Sequence, residues 1–204
     1  MAIVVEPWTA TPSTTDWTRV RGSVALTRVA SDNTGYAPSA TNENYRRNFD
    51  LGGLAQFAEC PIVAAGADNN RTAFLHLRMT LTGSTPSSYS VTFNAQAGTI
   101  GLLRYNTPTS VTPLLTGVGV TVPATPFLLR MEVEGATLRG LIAGDVVIST
   151  TDSGTALTGT APGLAFYNCG TNSPPLLRVG QFRAGLLTDS VVDGPELGRG
   201  LLAA

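Results

Sequence analysis

The chain contains no lysine, and all 13 of its basic residues are arginine. That absence excludes P-loop, Schiff-base and lysine-nucleophile mechanisms. Histidine occurs once, at His76, which rules out a multi-histidine metal site and leaves any triad dependent on that one side chain. No G-x-S-x-G nucleophile elbow is present. The two cysteines, Cys60 and Cys169, are far apart and lack both CxxC spacing and a histidine-rich neighbourhood. A zinc or thioredoxin-like site is therefore not expected, while two buried thiols and a single disulfide both fit. Charge is scarce too: 13% of residues are charged, and 14 acidic residues against 13 basic give a net charge of −1. Without a basic run there is no clustered face for a phosphate backbone, so nucleic acid is not an expected partner. No apolar run reaches the roughly 18 residues of a membrane span. Met1 to Glu6 also lacks the basic start and long apolar stretch of a secretory signal.

What remains is a chain of 204 residues, 43% hydrophobic, which is enough for one sizeable core. Its periodicity is close to two, the repeat that sends successive side chains to opposite faces of a sheet. Between Thr72 and Thr82, Ala73, Leu75, Leu77, Met79 and Leu81 alternate with Phe74, His76, Arg78 and Thr80. A half-buried strand is expected there. Tyr89 to Ala95 alternates in the same way, and Gly98-Thr99 turns it into a second strand, Ile100 to Tyr105. Further strands are expected at Val20 to Val29, Ala55 to Ala65, Phe127 to Glu134, Thr137 to Ala143, Val146 to Thr151, Gly163 to Asn168 and Leu176 to Leu187. The polar stretch from Ser31 to Asn48 reads as a long exposed loop. With 28 Thr and 13 Ser, the sheet surface is covered by short hydroxyls in place of charges. The expected fold is all-β, an antiparallel two-sheet sandwich spanning residues 19–187 between an N-terminal arm, 1–18, and a Gly-rich C-terminal arm, 188–204.

From Phe127 the chain runs Leu128-Leu129-Arg130-Met131-Glu132-Val133-Glu134-Gly135, then Thr137 to Ala143, Gly144-Asp145, Val146 to Ser149, Thr151-Asp152, Gly159 and Gly163-Leu164. This resembles the late-strand pattern of concanavalin A-like lectin and laminin-G-like jelly rolls, with Gly144-Asp145 inverting the usual Asp-Gly turn. Tyr89 to Arg104 matches the "Y-x-V-x-F", hairpin, "L-x-R" stretch of the same family. The resemblance covers residues 70–187 best, and it implies a jelly-roll sandwich that hosts lectins, hydrolases and structural modules alike.

Function must then come from a site. Glu132 and Glu134, at i and i+2 on one strand face, approach the separation of about 5 to 9.5 Å used in glycoside hydrolysis. Hydrolases of the resembled fold carry an E-x-D-x-x-E strand, whereas Glu134-Gly135-Ala136-Thr137 holds no third acid, so ion pairing with nearby arginines is the simpler role. No catalytic set, cofactor or metal site is expected; around Asp68-Asn69-Asn70 and at Asp152, Asx turns are favoured over calcium. Trp8 and Trp17 are expected to cap the core. His76, Arg78, Asn94 and Arg104 are the candidate ligand-facing residues. Ile3, Val4, Val5, Leu197, Leu201 and Leu202, in the apolar chain ends, are candidate assembly contacts with neighbouring subunits. These ends, the lectin-like fold and the missing catalytic set suggest a non-enzymatic bacteriophage virion protein. It would decorate the capsid surface, or sit in the tail, as a homo-oligomer, by preference a trimer, bound to the major capsid or tail protein. The alternative is a carbohydrate-binding, lectin-like module that recognises host-envelope glycans.

Overall fold

In the computed structural model, residues 3–38, 41–65, 71–80, 85–168 and 177–189 are described. They form sixteen strands and one short 3-10 turn, Leu187–Asp189. In chain order the strands are β1 (Val4–Glu6), β2 (Trp17–Arg21), β3 (Thr27–Val29), β4 (Thr34–Tyr36), β5 (Asn42–Arg47), β6 (Gln56–Ala65), β7 (Thr72–Met79) and β8 (Ser88–Asn94). They continue as β9 (Thr99–Thr107), β10 (Ser110–Gly119), β11 (Phe127–Glu134), β12 (Thr137–Ile142), β13 (Asp145–Thr151), β14 (Ala161–Tyr167), β15 (Leu177–Val179) and β16 (Phe182–Leu186). Two antiparallel sheets result. A nine-stranded sheet runs β13-β12-β11-β6-β15-β4-β3, with β16 also on β6 and β1 on β16; a seven-stranded sheet runs β10-β9-β8-β7-β14-β5-β2.

The core lies between the sheets because each contributes one apolar face. On β11, Phe127, Leu129, Met131 and Val133 point inward, while Leu128, Arg130, Glu132 and Glu134 face out. Leu75, Leu77, Val91, Phe93, Leu164 and Phe166 meet them from the seven-stranded sheet, with Phe93 edge-on to Phe127 at 5.3 Å. Each such side chain contributes about 1.5 to 3 kcal/mol through burial. Cys60 belongs to this core as a free, buried thiol, and burial, aided by Glu59, pushes its ionisation well up. Cys169 lies outside the described residues.

Trp8 and Trp17 close one end of the core, stacked at 6.1 Å, with Phe182 edge-on to Trp17. Their indole N–H groups are satisfied: Trp8 donates to the Gly180 carbonyl at 2.6 Å and Trp17 to Glu6 Oε2 at 3.0 Å. The stretch expected as an N-terminal arm resting on neighbouring subunits is instead built into this chain's own sandwich. Val4 is buried opposite Ala184, while its neighbour Val5 is 39% exposed. Of the expected C-terminal arm, residues 190–204 lie outside the described residues, as do Leu197, Leu201 and Leu202.

Five other features differ from expectation. The stretch from Ser31 to Asn48 is not an exposed loop, since it carries β4 and β5, and β5 sits inside the seven-stranded sheet with both faces covered. Val20 to Val29 is not one strand: Gly22, at φ +97°, breaks it, and β2 and β3 join different sheets. Leu176 to Leu187 divides likewise into β15 and β16. β10, unexpected from a sequence carrying Pro113 and Gly117, pairs with β9 through three register shifts and forms an uncharged edge.

The fifth concerns β7, which is buried at every position and not half-solvated. Its alternation also fails at Arg78. Between the pairs Gly163↔His76 and Ala161↔Met79 the strand has one residue too many, and Arg78 takes up the bulge at φ +54°. The bulge turns the guanidinium away from the His76 face. Its Nε and Nη2 donate to the Leu54 carbonyl at 3.1 and 2.7 Å, and Nη1 donates to the Leu157 carbonyl at 3.0 Å. Gly159 packs against this bulge so closely that a Cβ would lie 2.3 Å from the Arg78 carbonyl oxygen. Gly159→Ala should accordingly lose roughly 2 to 3 kcal/mol, read as a lower urea midpoint; an unchanged midpoint would show that the bulge yields freely.

Candidate functional site

Paired residues in an antiparallel ladder share a face, so the registers locate the outer face of the seven-stranded sheet. Its first row is Asn94, Thr72, Tyr167 and Asn42; the second holds Thr92, Phe74, Ala165 and Asn44; the third holds Ser90, His76, Gly163 and Arg46. The rows differ in exposure. Tyr167 is 41% exposed, whereas Asn44 is 1% and His76 0% exposed, although no third sheet covers them.

Aromatic contacts explain part of that burial. The Tyr105 ring stands edge-on to His76 at 5.1 Å, and Phe74 stacks on the other side at 6.3 Å. The His76 Nδ1 shares a hydrogen bond with the Ser88 hydroxyl at 2.9 Å, and the surrounding burial drives its pKa from the ordinary 6.5 to about 3. The ring is therefore neutral. On this face His76 Nε2, Asn44 Oδ1 and Asn42 Oδ1 are buried polar atoms with no hydrogen-bond partner. Native interiors leave few such groups, because each costs about 1 to 3 kcal/mol. Together they form an array ready for hydroxyl groups. Beside them lies the exposed Tyr167 ring, a flat apolar surface.

Of the four residues expected to face a ligand, His76 and Asn94 lie on this one face. His76 is sealed within it, and the Asn94 Oδ1 is taken by the backbone N–H groups of Gln96 and Ala97 at 3.0 and 2.9 Å. Arg78 is withdrawn by its bulge. Arg104 lies on the opposite side of β9, in register with Tyr89 and Thr112. There it lines an open edge cleft of about 520 Å³ together with Asn106, Thr112, Pro113, Asp152 and Gly154. That cleft's polar groups satisfy one another. Asp152 accepts hydrogen bonds from the Tyr89 hydroxyl at 2.7 Å, from Arg104 and from the Gly154 N–H at 2.9 Å. Arg104 also donates to the Thr155 carbonyl and to Asn106. Burial alone would raise the Asp152 pKa, but the hydrogen bonds from Tyr89, Gly154 and Arg104 hold it below the usual carboxylate range. The arrangement ties β9 to the β13–β14 connection, with an Asx turn at Asp152. Asp68-Asn69-Asn70 lies outside the described residues, and among those residues no group of three potential metal ligands occurs.

Glu132 and Glu134 lie on the outer face of the other sheet. Glu132 pairs with Arg130 at 2.9 Å and Arg139 at 3.7 Å, Glu134 with Arg139 at 3.5 Å, and Arg130 continues to the buried Glu59 at 2.8 Å. Both carboxylates thus belong to a cross-strand ladder of ion pairs. The residues that sequence reasoning missed are Asn42, Asn44 and Tyr167. The i, i+2 spacing of the two asparagines was a signal, hidden because the whole segment reads as polar.

No protein-family model matches the chain, and no curated protein matches it. Solved structures do. The carbohydrate-binding module CBM66 from Bacillus subtilis is similar at a TM-score of 0.60 and 13% identity, over 81% of this chain and 91% of that one. The exoplasmic/lumenal domain of VIP36 in its Ca2+-bound form reaches 0.60 at 12% identity, over 91% of this chain and 90% of that one. The fold is that of the concanavalin A-like lectins. A third similar structure, apo Crh5 transglycosylase, reaches 0.54 at 14% identity over 92% of this chain and 85% of that one, so this fold also carries enzymes.

The depressed His76 pKa has a testable sign. The unfolded chain takes up this proton near pH 6.5 and the folded chain only near pH 3, so the stability associated with neutral His76 is complete above pH 6.5 and is lost as pH falls toward 3. Between pH 7 and 4.5 the protein should lose about 2 to 3 kcal/mol more than His76→Gln does. Parallel urea titrations at the two pH values measure this; equal losses would mean that the imidazole is hydrated in the native state.

Proposed function

We propose that the protein is a carbohydrate-binding module whose sugar face is the outer face of the seven-stranded sheet. One observation carries this reading: His76 Nε2, Asn44 Oδ1 and Asn42 Oδ1 are buried without partners on a single face, beside the exposed Tyr167 ring. Neutral sugars are bound by amide and imidazole groups that exchange hydrogen bonds with hydroxyls, together with an apolar surface for the C–H face of the ring. This sheet face offers both. The edge cleft at Arg104 does not compete, because its donors and acceptors are already engaged with each other. Similarity to a carbohydrate-binding module, and to a VIP36 domain also solved bound to Man3GlcNAc, supports the same reading.

Catalysis has less support, since Glu132 and Glu134 are held by arginines on the other sheet. The virion role expected from the apolar chain ends gains no support from the N-terminal side, where Val4 is consumed within the sandwich.

An array of immobilised neutral oligosaccharides, followed by calorimetry on the best binder, tests the proposal. Asn44→Ala should weaken binding about ten-fold, the value of one well-formed hydrogen bond. Tyr167→Ala should weaken it several-fold, and Glu132→Gln should leave it unchanged. A blank array, or binding indifferent to Asn44 and Tyr167, would sink the assignment.

A further inference from the structure

The β9–β10 hairpin extends past the sheet. Tyr105 is the last β9 residue paired with β8, opposite Ser88, so residues 106–110 overhang that edge. The tip does not stand free in solvent: Pro108 is buried, and its carbonyl accepts a hydrogen bond from Arg21 Nη1 at 2.9 Å. Arg21 belongs to β2, five strands from β9 in the sheet order. In a flat sheet that separation would be about 24 Å. The sheet is therefore coiled until opposite corners touch, and the hairpin tip lies across the outer face. A second contact accompanies the first. The Tyr105 hydroxyl is within hydrogen-bonding reach of the Asn42 amide on β5 and close to the Arg21 guanidinium, in a setting where burial nonetheless raises its pKa. His76 and Asn44 lie in the rows of the face that this closure covers.

We propose that the tip of the β9–β10 hairpin is a latch over the inner part of the sugar face, held by Arg21 on Pro108 and by Tyr105 beside Asn42. The biological use of the latch rests on the carbohydrate reading; its existence does not. In the closed state, Tyr167 forms the accessible margin, while His76 Nε2, Asn44 Oδ1 and Asn42 Oδ1 wait without partners underneath. Opening breaks two polar contacts and separates Tyr105 from His76. It also gives the unpartnered atoms access to water or sugar hydroxyls, which offsets part of that loss. Apparent affinity is then the intrinsic affinity reduced by the fraction of molecules that are open. Arg21 and Tyr105 act by setting that fraction and are positioning residues.

The single histidine makes the latch measurable without any glycan. Diethyl pyrocarbonate acylates neutral imidazole, and its reaction, followed near 240 nm, reports only His76 in this chain. The wild-type protein should react slowly, at a rate insensitive to low urea because opening is local. Arg21→Met and Tyr105→Phe should each accelerate the reaction roughly five- to ten-fold, as expected for the loss of one polar contact. Arg139→Met, an equivalent change on the other sheet, should not. Equal rates in all four proteins would overturn the latch. So would rates that follow global unfolding in urea, as read by circular dichroism. A blank glycan array with accelerated variants would sink the sugar reading and leave the latch standing. Glycan binding with unaccelerated variants would do the reverse.

Discussion

The hydrogen bond from Arg21 to the Pro108 carbonyl joins the two margins of a seven-stranded sheet, and that geometry is available only to a strongly coiled sheet. Much of the molecule follows from this curvature. One face of the sheet packs on the nine-stranded sheet and makes the main core. The other face, which in a flat antiparallel sheet would be solvated, becomes a second dry layer of Phe74, His76, Tyr105 and Asn44. Burial on both sides explains why β5 and β7 do not show the half-polar pattern of an ordinary surface strand. It also places uncompensated polar atoms inside the protein.

Arginine is the only strong cation available, and its planar fork is used for joining elements that the backbone ladders do not connect. Arg78 spans from its bulge to the Leu54 and Leu157 carbonyls, and Arg104 anchors the β13–β14 connection through Asp152. A lysine ammonium, a point charge on a flexible stem, would not reproduce these several simultaneous and directional bonds. The guanidinium groups also lie over rings, Arg130 over Phe57 at 4.3 Å and Arg47 over Trp17 at 5.4 Å. Scarcity of charge is thus compatible with a firmly braced sandwich, because among the described residues few charges are left idle.

How legible this was in the sequence depended on the strand. β11, β12 and β14 lie where strands were expected, because their apolar residues recur every second position or run continuously between glycine turns. At β12–β13, Ala143 and Gly144 both take positive φ, the two-residue turn that the inverted Gly-Asp order had concealed. β5 escaped notice because Asn42, Asn44 and Arg46 face one covered side while Glu43 is buried on the other, so polar composition no longer signals solvent. Arg78 was misplaced because one inserted residue reverses every face assignment beyond it, and a bulge leaves no mark when the bulged residue is not glycine. The proposed sugar face was half visible: His76 and Asn94 were named, but Asn42, Asn44 and Tyr167 become neighbours only through the pairing β5-β14-β7-β8, which joins distant parts of the chain.

The edge strand β10 has a separate consequence. Ten residues long and free of charge, it would ordinarily template the growth of a sheet into a neighbouring molecule. Here Pro113 removes a donor, Gly117 sits at φ +71°, and three register shifts break the spacing that an incoming strand would have to match. Many copies could therefore be displayed side by side on one surface, or strung in tandem along one chain, and each would remain a discrete unit. For a protein with little net charge, colloidal repulsion is weak, and protection from fusion into fibrous stacks must come from backbone shape.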